Sequence, residues 1–203
     1  MADEQTTSSV ALAMKYGKYW NRILAEHIQH LPKDPNAKKG SPARFVVTKP
    51  LPTKEEFERM CRAHYTTSVD GLVSDAFAEF ESLADELQSW YDNLPEPFQQ
   101  GEKGDELQSA INTLQNLVAP DVPEEVANIP VVYMPEVGEL SRATRCAEAA
   151  GMLNGAIEAV DHALSDIEEE EEDRKSEWES FMDDLRSVAE EAEGVEFPGA
   201  FGN

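Results

Sequence analysis

The sequence predicts an all-α protein: an elongated antiparallel helical bundle or coiled coil with a long C-terminal helix, and at most a minor two-stranded β ribbon. Three observations lead there. Between Leu140 and Ala192, apolar residues recur at alternating steps of three and four: Ile157, Val160, Leu164 and Ile167, then Trp178, Phe181, Leu185, Val188 and Ala192. That spacing makes a seam packed lengthwise against other helices. Two earlier segments repeat the rhythm, and the prolines gather between the periodic segments rather than inside them. Unbroken, the last segment would span about 80 Å at about 1.5 Å per residue.

The first helix is expected from Ser8 or Ser9, which can cap it, to about Leu31, where Pro32 stops it. Its seam is Tyr16, Tyr19, Trp20, Ile23, Leu24, His27 and Leu31, with Lys15, Lys18 and Arg22 elsewhere. Such an aromatic stripe reads as core packing in preference to a membrane or nucleic-acid surface. From Pro32 to Pro52 the density of proline and of basic residues reads as a solvated loop with at most a short strand at Phe45 to Thr48. Thr53 and Glu56 form a capping box opening a short helix to about Tyr65. A major helix follows from Val69 to Leu94, ended by Pro95 and Pro97, and a third from about Asp105 to Val118 is its antiparallel neighbour. The Pro-rich crossing from Ala119 to Glu136 contains a brief apolar run, Val131 to Met134, that could pair with Phe45 to Thr48. In the last segment a bend is expected near Gly151 to Gly155, because each mid-helix glycine costs about 1 kcal/mol. Glu168 to Asp173, six consecutive acids, are expected to continue the helix, supported by Glu170 with Arg174 and Glu171 with Lys175. The expected divisions are a basic N-terminal helical region with its loop (1–65), a helical bundle core (66–167), and an acidic helical extension and tail (168–203).

Charge narrows the function classes. The chain carries a net charge of −24, unfavourable for direct contact with nucleic acid or a phosphate-rich membrane surface and favourable for basic partners. It is unevenly spread: residues 1–65 hold 11 basic and 7 acidic side chains, net +4, while the remainder holds 6 basic and 34 acidic, net −28. Cys61 and Cys146 lie in helix-like sequence without a disulfide-rich context, which together with the lack of a signal-peptide pattern predicts a reduced, cytoplasmic setting.

The stretch Leu87–Glu96 (LQSWYDNLPE), followed by Gly101–Gly104 and the third helix, is similar to a segment of uncharacterised acidic helical proteins of bacteria and phages. The Pro-rich crossing and Ser141–Cys146 resemble them too, so that the likeness covers roughly residues 70–167. It implies a phage or mobile-element origin, hence a host-cell cytoplasmic location, and no activity.

No phosphate-cradling loop, nucleophile elbow or H-E-x-x-H helix is present, so a non-enzymatic protein is expected. Cys61 and His64 are half a zinc site at most; neither metal nor cofactor is expected. The acid run splays around a helix and cannot converge on one ion. A stiff acidic helix can instead meet a basic groove on another protein. The partner-binding candidates are Glu168, Glu169, Glu171, Glu172, Asp173, Glu177, Asp183 and Asp184, with the seam residues Trp178, Phe181 and Leu185 offered for self-assembly or a partner; Glu190 and Glu191 extend the acidic set. The expected function is protein–protein interaction through an acidic helical surface, with homo-oligomerisation. Its alternatives are a DNA-mimicking inhibitor of a host nucleic-acid-binding or defence enzyme, and a virion or assembly protein.

Overall fold

The computed structural model describes residues 6–167 and 172–199. It forms two compact units, Met1–Thr66 and Thr67–Asn203.

The first unit is built on a sheet. Strand β1 (Thr6–Ser8) leads into helix α1 (Ser9–Tyr16), whose N-terminus is capped by the Ser8 hydroxyl accepting from the Ala11 N–H at 3.3 Å. Gly17, at φ 75°, ends α1 in a left-handed conformation and its N–H closes on the Ala13 carbonyl. A short helix α2 (Trp20–Ile23) and strand β2 (Ile28–His30) follow, and then strand β3 (Arg44–Val47). β3 is the middle strand, antiparallel to both neighbours, with Thr6 opposite Val46 and His30 opposite Phe45. Phe45 is buried between the rings of Trp20 (5.1 Å) and His30 (4.4 Å). Helix α3 (Lys54–His64) has both hydrogen bonds of the Thr53–Glu56 capping box and presents Phe57 and Cys61 to Leu12, Tyr16 and Leu24. Tyr16 donates its hydroxyl proton to the Pro52 carbonyl at 2.8 Å, so its buried polar end is satisfied.

The second unit is a helical core. Strand β4 (Thr66–Ser68) leads into helix α4 (Val69–Asp92), capped by Ser68, and a short helix α5 (Glu96–Gln99) turns the chain into helix α6 (Glu102–Asn116). Gln99 secures that turn by donating to the Tyr91 and Leu94 carbonyls, both at 3.1 Å. A short helix α7 (Glu124–Ala127) and strand β5 (Pro130–Val132) lead to helix α8 (Arg142–Leu164) and helix α9 (Glu172–Glu193). Helix α4 lies between α6 and α8, and α9 packs along α8 and touches α6. Their shared core includes Leu72, Phe80, Leu83, Leu87, Leu107, Ile111, Leu153, Phe181 and Leu185. Each fully buried side chain of this size contributes about 1.5–3 kcal/mol of transfer free energy.

Several sequence-based expectations are corrected. Residues in helix make up 61% and in strand 8%, with nine helices and two small antiparallel sheets among the described residues, a mixed fold and not plainly an all-α bundle. The first helix does not reach Leu31: Gly17 stops it, and Ile28–His30 join a sheet instead. The apolar run at Val131 does not pair with Phe45: β5 pairs with β4, while β3 takes β1 and β2. The long C-terminal helix is two helices. Helix α8 ends at Leu164, with Ser165, Asp166 and Ile167 in tight turns, and the Cys146 thiol near its start lies 3.3 Å from the Ala192 carbonyl near the end of α9. The two are therefore antiparallel. The reason is energetic: folding back buries a seam worth several kcal/mol. Residues 168–171, expected to continue the helix, lie outside the described residues. Helix α8 continues through both Gly151 and Gly155, with the Tyr133 ring packed against Gly155 and its hydroxyl near Gly151.

Candidate functional site

Helix α9 divides its residues cleanly between two faces. Trp178 and Phe181 are each 3% exposed and Leu185 is 0% exposed, and with Met182, Ala189 and Ala192 they form the inward stripe. The seam offered for assembly is thus covered by this chain's own helices α8 and α6. Of the acidic candidates, Glu172, Asp173, Glu177, Asp183, Asp184, Glu190 and Glu191 are all exposed on the other face. Glu168, Glu169 and Glu171 lie outside the described residues.

The outward face carries nearly all the charge of the helix, nine acidic residues against three basic ones over Glu172–Glu193. Two of the cations are engaged: Arg174 pairs with Glu125 of α7 and lies over the Trp178 ring at 5.0 Å, and Arg186 pairs with Asp183 on α9 itself. Among the described residues, no other acid of α9 has an ion-pair partner, so the face presents a field of like charge on a rigid backbone. Opposite charge is what such a field attracts.

The remaining polar clusters are structural. Arg145 bridges Glu79 and Glu86 of α4, each at 2.5 Å, and Arg142 adds a bond to Glu86 at 3.2 Å while its guanidinium lies 5.3 Å from the Trp90 ring. The hydrogen bond from Arg145 holds the Glu86 carboxyl below the usual carboxylate value, and the same bond raises Arg145. This clamp joins α4 to α8 and was not foreseen. Its signal was present in the spacing, since two of the six basic residues beyond Tyr65 stand three apart at Arg142 and Arg145.

The two thiols are poor nucleophiles. Burial, with the charge of Glu79 added, pushes Cys146 up to about 11, and burial with Glu58 raises Cys61. Cys61 is buried while His64 is exposed, so the suspected half-site does not converge. Among the described residues no three His, Cys, Asp or Glu side chains are grouped to hold a metal ion. Nor is any described helix long and apolar enough to cross a membrane.

A groove of about 820 Å³ opens between α4, the end of α6 and the Ala119–Val122 crossing. Its floor is apolar, with Phe77 half-buried and stacked edge-on to Phe80 at 5.7 Å. Asp70, Glu81, Asp85 and Asp121 line it, and no basic residue does.

In comparisons with known proteins, no family model, no curated protein and no solved structure matches the chain.

Proposed function

We propose that this chain is a non-enzymatic interaction protein that engages a partner protein through the acidic outer face of α9, with a basic groove or surface as its counterpart. The observation that carries the reading is the division of α9: its apolar stripe is used up inside the fold, and what remains outward is predominantly negative charge, nine acids against three bases, on a regular helix. A helix held on one side by Trp178, Phe181 and Leu185 does not have to be ordered on binding, so little conformational entropy opposes association. The charge also speeds encounter with a basic partner, at a rate that falls with ionic strength.

The same face supports a narrower form of the reading, in which the partner's groove ordinarily holds duplex DNA. Carboxylates repeated along a rigid rod supply the charge that a phosphate-binding groove recognises, without base edges to read.

The test neutralises the face while leaving the fold alone. A variant carrying Asp173→Asn, Glu177→Gln, Asp183→Asn, Asp184→Asn, Glu190→Gln and Glu191→Gln is compared with the natural chain as bait, at low and high salt. Partners that are lost with the variant, and lost with salt from the natural chain, support the reading. A captured partner that binds both equally refutes it. Competition of that partner with duplex DNA separates a DNA-mimicking role from plain protein recognition.

A further inference from the structure

We infer that the groove beside α4 receives helix α1 of a second copy, so that the chain associates head to tail. The inference is independent of the acidic face of α9.

Each half of the contact is visible by itself. In the first unit, α1 turns Leu12 and Tyr16 inward but leaves Val10 and Met14 outward, at 53% and 84% exposure. These two are four apart, hence on one ridge of the helix, with Ala13 exposed between them. Lys15, Lys18 and Arg22 are exposed close by in sequence. Large apolar side chains that exposed, standing together on one helix, are a patch in want of cover. In the second unit, the groove offers the complementary features: an apolar floor where Phe77 and Leu117 are only half-buried, and a margin of four carboxylates with no cation among the lining residues. A helix with an apolar ridge and a basic margin fits such a groove, which is the usual helix-in-groove mode of recognition.

Charge selects a second copy in this orientation. Residues 1–65 carry +4 and the rest of the chain −28. Two second units repel each other, whereas the first unit of one copy is drawn to the second unit of another. The contacting surfaces differ, so the interface is heterologous and would propagate into short chains or close into a ring. An eight-residue helix covers far less than the about 20–30 residues a side of a stable interface, so the association is weak and depends on concentration.

The test uses the full chain and two substitutions at exposed positions, Met14→Glu on the ridge and Ala78→Trp in the groove. Circular dichroism first establishes that both fold. Sedimentation equilibrium over rising concentration is then expected to show self-association of the natural chain and monomers for each variant alone. Mixed in equal amounts, the two variants should form a dimer and nothing larger, because the intact α1 of one fits the intact groove of the other. The variant neutralised on α9 keeps all four groove carboxylates and should still associate, more weakly by no more than its smaller overall charge allows. A natural chain that stays monomeric overturns the inference. So does association that survives both substitutions, or a mixture of the variants that contains only monomers.

Discussion

Replacing Leu185 by alanine probes the packing of α9 directly. Leu185 is fully buried, in the core that α9 shares with α6 and α8. The substitution removes three buried carbons, which at about 0.8 kcal/mol each is a transfer loss of about 2.5 kcal/mol. The cavity left in a stripe already filled by Phe181, Met182 and Ala189 adds to it, so the expected cost is about 3–4 kcal/mol. For a unit of this size about 3 °C of melting temperature corresponds to each kcal/mol, so Leu185→Ala should melt about 10 °C lower. Thermal and urea unfolding followed by circular dichroism measure both quantities, with the exposed Asp184→Ala as a control expected to stay within about 0.5 kcal/mol. If Leu185→Ala behaved like Asp184→Ala, α9 would not be packed on the core and the reasoning would fail.

Arg145→Met leaves Glu79 and Glu86 without their main partner and should cost about 1–2 kcal/mol at neutral pH, the partial exposure of all three side chains limiting the effect. Because Glu86 titrates below its usual value of 4.5 when folded, the stability due to this pair is present above that pH and is lost as the pH falls through the folded value. The acid limb of the pH–stability curve should therefore be shallower in Arg145→Met, and an unchanged limb would count against the clamp. Cys146 makes the opposite case: with its thiol raised from 9.0 to about 11 on folding, its neutral form stabilises the protein fully below pH 9 and that stability is lost between pH 9 and 11. Cys146→Val should remove this part of the alkaline slope, and a thiol reagent should modify Cys146 in the natural chain only after unfolding. Gly17→Ala should cost about 1 kcal/mol through its positive φ alone, since the space around it is open; stability unchanged in urea unfolding would contradict the helix end assigned there.

The helices of the second unit were legible because their signals are local. Val69–Asp92 starts after Ser68 and stops before two prolines, and its seam of Val73, Ala76, Phe80, Leu83 and Leu87 is the buried one. Thr53 and Glu56 likewise state their cap in four residues. What failed was non-local. The sheet of the first unit joins Thr6–Ser8 and Ile28–His30 to a strand more than a dozen residues further on, and no periodicity in three residues can show that. One signal was readable and missed: Thr-Thr-Ser occurs at both Thr6–Ser8 and Thr66–Ser68, each time two β-branched residues and then an N-cap. The seam of α9 reads as apolar in the sequence, and its cover, which could lie within the chain or on another copy, is this chain's own α8 and α6. Periodicity identifies the face that must be covered, but a helix of the same chain covers it as well as a partner would. The acidic face was legible as charge, and its exposure follows from the burial of the opposite side.

The division of α9 into a buried apolar stripe and an outward acidic face requires the last helix to lie back along α8. Spin labels at Ala147 and Glu191, both exposed, placed in a chain whose two buried cysteines are replaced, measure this in solution by electron–electron dipolar spectroscopy. The antiparallel pair predicts a short separation, the about 8–10 Å between helix axes plus the label arms. A continuous helix would set the same positions about 65 Å apart at about 1.5 Å per residue, and that distance would contradict the fold and the function proposed from it.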